Sequence, residues 1–164
     1  MLVCVDTSLL ILTQQSKPTP GQEALFEAAT AYETWLGETD CGVLIPTPVV
    51  SEFLSSRDAK IRRRILSSLQ SFADLGNFDL RAAELAGQLR LHYAEQHGLP
   101  SGLERQVLTV DMMIAAIALV NRASHIITHD TDDFERIVAG IEDVNISVRG
   151  VADGPPGQGH LFRE

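Results

Sequence analysis

The chain has 164 residues, about one domain at ~150 residues per domain, and its 45% apolar and 21% charged composition excludes wholesale disorder. Thirteen basic against 22 acidic residues leave a net charge of −9. That sign repels phosphate backbones and argues against a passive nucleic-acid-binding module, though not against an enzyme that meets nucleic acid through bound cations. In chain order, Leu2-Val-Cys-Val5 reads as a short buried strand ending in Asp6. Pro18 to Gly21 punctuates the chain, and Leu25, Ala28, Ala29, Tyr32 and Leu36 then recur at helical spacing from Gln22 to Leu36. Val43-Leu-Ile45 is a second strand, stopped by Pro46. Thr47-Pro48 starts a helix through about Ser56, with Thr47 as its N-cap.

Ile61, Ile65, Leu69 and Phe72 mark one amphipathic helix, and Leu85, Leu89 and Tyr93 mark another closed by Gly98. After a Gly/Pro/Ser loop, the Ala-rich run Val110 to Asn121 suits a central helix packed closely on a sheet. His125-Ile-Ile-Thr128 is a strand running into Asp130, Phe134 to Val138 a short helix, and Asn145 to Arg149 a last strand. Strands alternating with helices predict a three-layer α/β fold with a central parallel sheet flanked by helices. Residues 1–150 are expected to form this domain and 151–164 a flexible tail, since Asp153-Gly-Pro-Pro-Gly-Gln-Gly159 has no periodicity. No apolar run approaches the ~18 residues of a membrane span, and Met1 to Asp6 lacks a basic leader region, so a cytoplasmic protein with no membrane contact is expected. Cys4 and Cys41 show no metal-ligand spacing and read as small core residues beside strands.

In an open parallel sheet, ligands bind outside the carboxyl ends of the strands. Two predicted strands end there in acids, Asp6 and Asp130. Two predicted helices carry acids in their first or second turn near the same edge, Glu52 and Asp111. Both helical acids stand in apolar contexts, Val49-Val-Ser-Glu52-Phe-Leu54 and Leu108-Thr-Val-Asp111-Met-Met-Ile114, which predicts that neither lies on a free solvent face. Four converging carboxylates repel one another unless a cation sits among them, and hard oxygen ligands select Mg²⁺ or Mn²⁺. Such a cluster is a common device for hydrolysing a phosphodiester.

Four blocks carry a resemblance: Val-Asp6-Thr-Ser-Leu-Leu10, Pro48-Val-Val-Ser-Glu52-Phe, Val110-Asp111-Met-Met-Ile-Ala-Ala-Ile-Ala118 and Ile127-Thr-His-Asp130-Thr-Asp-Asp-Phe134. In this order they resemble the signature segments of the PIN-domain family, and in particular its VapC-type ribonuclease toxins. The resemblance spans Leu2 to about Arg149. It implies a flavodoxin-like fold and an Mg²⁺- or Mn²⁺-dependent endoribonuclease. Asp6, Glu52 and Asp111 match the family's three core acids, and Asp130 matches a fourth position that is Asp or Asn among members. Thr7 or Ser8 matches a hydroxyl after the first strand, and Asp132 and His129 stand at the rim. The resemblance further implies an RNA substrate, a small antitoxin protein whose C-terminal segment enters the active-site groove, and a homodimer. The amphipathic helices between Ala59 and Tyr93 offer apolar faces for the dimer.

Plainer roles compete at each position. Asp6 and Asp111 could serve as a helix cap and a first-turn acid, and Glu52 as a salt-bridge partner. One acid of the Asp130–Asp133 group is expected to cap the helix at Phe134, with Asp133 the first choice. The run Arg57-Asp-Ala-Lys-Ile-Arg-Arg-Arg64, the one basic cluster, reads equally as a solvated face or as a patch that steers RNA or meets an acidic partner. Tyr32 and Trp35 read as packing residues. Three alternative functions follow: an RNA-processing nuclease outside any toxin pair, a non-catalytic partner-binding module, and phosphoryl transfer through an aspartyl phosphate. The last needs a Lys after a late strand, and the only lysines are Lys17 and Lys60.

Overall fold

Strands of three to five residues build the centre of the molecule, as seen in a computed structural model that describes residues 1–139, 141 and 145–156. They are β1 (Leu2–Val5), β2 (Gly42–Pro46), β3 (Asp74–Gly76), β4 (His125–Thr128) and β5 (Ser147–Gly150). All neighbouring pairs are parallel, in the order β3-β2-β1-β4-β5. Helices α1 (Thr7–Thr13), α2 (Glu23–Glu38), α3 (Thr47–Leu54), α4 (Ala59–Phe72), α5 (Leu80–His97), α6 (Gly102–Val120) and α7 (Thr131–Val138) connect them. α1 packs with α2 and α3, while α5, α6 and α7 pack together. Right-handed crossovers then put the two groups on opposite faces, giving the expected three-layer α/β fold.

The core explains the strand and helix choices. Val3, Cys4, Ile45 and Ile126 are fully buried, as a sheet covered on both faces requires. Ala115, Ala116 and Ala118 of α6 are also fully buried. Their small side chains let this helix approach the strands closely. Burial pushes the Cys4 thiol far above its ordinary range, with Asp6 adding to the effect, so Cys4 packs as an inert hydrophobe. Tyr32 is fully buried against Trp35 in an edge-to-face pair at 6.3 Å, confirming packing roles for both.

A methyl group at Gly76, where β3 ends, would meet Ile117 Cγ2 at 2.5 Å and Leu44 Cδ1 at 3.0 Å. Ile117 is β-branched and lies in the packed interior, so it has little room to turn aside. Gly76→Ala is expected to lower stability by about 1–3 kcal/mol through overpacking, measurable as an earlier urea midpoint with an unchanged slope.

The structure departs from the sequence expectations in several places, among them α3, which includes Thr47, has Pro46 at its N-cap position and ends at Leu54. β3 and α1 were not anticipated: Asp74-Leu-Gly is too short to show alternation, and Leu9 to Leu12 is a four-residue apolar run in which periodicity cannot separate helix from strand. α6 starts at Gly102, not Val110. Its first two turns expose Leu103 and Val107, so they carry no burial pattern to read. α7 starts at Thr131, ahead of Phe134. Finally, packing continues past residue 150: Val151, Gly154 and Pro155 are buried, and Tyr32 Oη donates to the Gly150 carbonyl at 3.4 Å. Residues 157–164 of the expected tail lie outside the described residues. Among the described residues, no helix is long and apolar enough to cross a membrane.

Candidate functional site

The chain leaves β1 in one direction, through α1 and α2 to β2, and reaches β4 on the other side of β1 from β3. A crevice therefore opens outside the carboxyl ends of β1 and β4, where the connections diverge. Asp6 follows β1 directly, and its backbone N–H continues the ladder to the Ile127 carbonyl at 3.0 Å. It occupies the N-cap position of α1 yet makes no side-chain cap bond. Its carboxylate is engaged elsewhere. Ser8 Oγ donates to Asp6 Oδ2 at 3.1 Å, and Thr128 Oγ1 donates to the same oxygen at 2.9 Å.

Both hydroxyls are themselves anchored by the loop after β4. The His129 N–H donates to Ser8 Oγ at 3.0 Å, and the Asp130 N–H donates to Thr128 Oγ1 at 3.1 Å. Thr7 serves a different acid, donating to Glu52 Oε2 at 2.6 Å. The two hydroxyls after the first strand thus divide between two carboxylates, a point the sequence left open. Glu52 lies in the second turn of α3 and is exposed, contrary to the expectation from its apolar neighbours. Phe53 and Leu54 beside it take the buried face, and Glu52 reaches Thr7 at the start of α1.

Asp111 stands in the third turn of α6, not the first or second, because the helix begins earlier than expected. A first-turn role in the helix dipole is therefore ruled out, since that effect fades within a turn. The residue is half-buried. Burial pushes its carboxyl up to about 7, and the charges of Asp6, Asp130, Asp133 and Glu52 push in the same direction. Asp111 therefore sits in the field of the three other predicted acids and of Asp133.

Asp130 is exposed at the N-cap position of α7 and makes no side-chain cap bond. Asp133 does not cap the helix either. It lies in the first turn and pairs with Arg136 at 3.3 Å. Asp132 and the side chain of His129 are exposed at the rim. Thr128 escaped the sequence reading of the site. It is the one polar residue fully buried among those described. The available signal was a hydroxyl closing an otherwise apolar strand two residues before an acid.

Two further surfaces involve α4. A cavity of about 490 Å³ between α1, α2, α4 and β2 is lined mainly by apolar side chains, including Leu9, Leu36, Val43, Phe53 and Phe72. Lys60, Arg62, Arg63 and Arg64 are exposed on the first turns of α4, and Arg57 lies 5.4 Å from the Phe53 ring centroid.

Among the described residues, no three His, Cys, Asp or Glu side chains are close enough to form a ready cage for a metal ion. The donor set nonetheless fits a hard divalent cation. Mg²⁺ keeps several waters and takes only one or two carboxylates directly, so a wide ring of acids suits it better than a tight cage. Burial first, and then the charges of Asp6, Asp130, Asp133 and Glu52, disfavour the ionised form of Asp111, and a bound cation would relieve the part that the charges contribute.

A PIN-domain family model matches residues 3–139, and the chain belongs to this family of nucleases. Solved structures share the fold at low identity. One is a DNA-bound VapBC complex from Salmonella typhimurium, at 22% identity and a TM-score of 0.61, covering 92% of this chain and 99% of that one. VapBC-1 from nontypeable Haemophilus influenzae matches at 16% identity and 0.63, covering 92% and 98%. VapBC2 from Rickettsia felis, bound to a promoter DNA fragment, matches at 19% and 0.60, covering 92% and 98%. No curated protein matches the chain by sequence.

Proposed function

We propose that the chain is a metal-dependent endoribonuclease and the toxin of a toxin–antitoxin pair, acting in the cytoplasm. One observation carries the reading: Asp111, half-buried, lies in the field of Asp6, Glu52 and Asp130 at the crevice where the sheet's connections diverge. These four residues would hold Mg²⁺ or Mn²⁺. When bound, the cation supplies Lewis acidity for in-line attack of water on phosphorus and neutralises charge on the leaving oxygen. Thr7 holds the Glu52 carboxylate at the rim, and Asp6 is oriented from below by two hydroxyls.

The apolar cavity between α1, α2, α4 and β2 suits a hydrophobic segment of a small antitoxin, the kind of complex named for the VapBC structures. Exposed Leu80 and Leu91 on α5 offer apolar area for a homodimer. The purified chain is expected to cleave single-stranded RNA with Mg²⁺ or Mn²⁺, to stop on chelation, and to lose cleavage in Glu52→Gln. Cleavage that persists in excess chelator overturns the metal-dependent reading. Cleavage without any partner that neutralises it would make the chain an RNA-processing nuclease. A preparation that binds metal but cuts no RNA would make it a binding module.

The basic turns of α4 are the RNA-steering surface in this reading. Replacing Arg62, Arg63 and Arg64 by Ala together is expected to raise KM for RNA and to flatten its log–log salt dependence by about two units, since each lost phosphate contact removes about 0.7. An unchanged KM and salt slope would assign these arginines to solvent alone.

A further inference from the structure

Thr128 and Ser8 do more than fill space beside Asp6. Among the described residues, the hydrogen bonds to the Asp6 side chain all fall on Oδ2, one from each hydroxyl. Each hydroxyl has a single proton to donate, and each also accepts one backbone N–H from the β4–α7 loop. That arrangement sets the direction of both protons. Moving either oxygen away from Asp6 also breaks the bond it accepts from a loop N–H, and Thr128 is fully buried, where its hydroxyl proton loses its acceptor at a cost.

We propose that Thr128 and Ser8 are positioning residues that hold Oδ2 of Asp6 and so present Oδ1 to a divalent cation as a single-oxygen ligand. The inference rests on the reading of the acids as a metal-held nuclease site. A carboxylate with one oxygen committed to two hydroxyls resists rotating to bind a cation through both oxygens. It also stays aimed in the absence of the ion, which lowers the reorganisation needed on binding. The same two hydroxyls tie the loop bearing Asp130 to the end of β1, so Asp6 and Asp130 move as one unit. Outer partners of this kind typically change metal affinity or activity by about 10–100-fold when removed.

The test separates the hydroxyl from the methyl group of Thr128. Thr128→Val keeps the shape and deletes the donor, while Thr128→Ser keeps the donor and deletes packing. Mn²⁺ affinity by calorimetry, kcat and KM for RNA, and Tm are measured for both, with Ser8→Ala as a third variant. The expected result is an Mn²⁺ affinity about 10–100-fold weaker and a lower kcat in Thr128→Val, restored in Thr128→Ser despite a reduced Tm. Ser8→Ala, at a half-buried position, is expected to weaken Mn²⁺ binding in the same direction and remains informative if Thr128→Val does not fold. Wild-type Mn²⁺ affinity in Thr128→Val or, should that variant not fold, in Ser8→Ala overturns the proposal. So does a Thr128→Ser variant that is as impaired as Thr128→Val, which would mark a packing role. Absence of Mn²⁺ binding by the wild-type chain, with or without RNA, instead overturns the metal-site reading on which the proposal stands.

Discussion

Asp111→Asn is expected to abolish RNA cleavage and, in the same protein, to raise the Tm of the metal-free chain at neutral pH and above. In the folded chain, burial and four neighbouring carboxylates hold the Asp111 proton until about pH 7, whereas an unfolded Asp releases it near its ordinary value of 3.8. Between those values the folded state binds more protons, so stability falls as pH rises and the full penalty is present above about pH 7. Asn is close in shape and carries no charge, so the variant lacks the penalty. Partial exposure of Asp111 screens the effect, leaving about 1–3 kcal/mol, or roughly 3–8 °C for a chain of this size. Thermal melts in chelator from pH 4 to 8 would show the two proteins diverging with rising pH. Parallel curves would mean that Asp111 does not bear the repulsion of its neighbours.

Saturating Mn²⁺ is expected to stabilise the wild-type chain, and removal with chelator to reverse the gain. An ion that binds only the folded state at about 100 times its Kd contributes about 2.7 kcal/mol, a Tm rise of about 5–10 °C. Asp6→Asn should lose most of this rise, because the substitution removes the charge of the acid that two hydroxyls hold at the crevice. The gain pairs with the first prediction: the cation offsets the repulsion that Asp111→Asn removes chemically. A wild-type Tm indifferent to Mn²⁺, Mg²⁺ and chelator would leave the acids without a cation to gather around. Retention of the full Tm rise in Asp6→Asn would remove Asp6 from the ligand set.

Much of the fold was legible because its elements are locally marked. Each of the four strands read from apolar runs stands within two residues of its expected place, and Gly98, with φ of 73°, closes α5 where a C-terminal glycine was anticipated. What escaped lacked a periodic signal. Three residues of β3 and the exposed opening turns of α6 offer no buried face to detect. That second omission had a consequence for the site, since it misplaced Asp111 by more than a turn along its helix and left a dipole role open.

The sequence alone determined the α/β class, because strand runs are local features, and it offered Asp6, Glu52, Asp111 and Asp130 as candidate acids. It could not determine which hydroxyl serves which acid. Thr7 and Ser8 are adjacent on one turn, and only the docking of α3 and the pairing of β1 with β4 send one to Glu52 and the other to Asp6. Nor could it single out Thr128, which meets Asp6 across 122 residues of chain. Those assignments belong to the tertiary structure, because hydrogen bonds of about 3 Å and the mutual repulsion of acids depend on distances that exist only once β1 and β4 lie side by side.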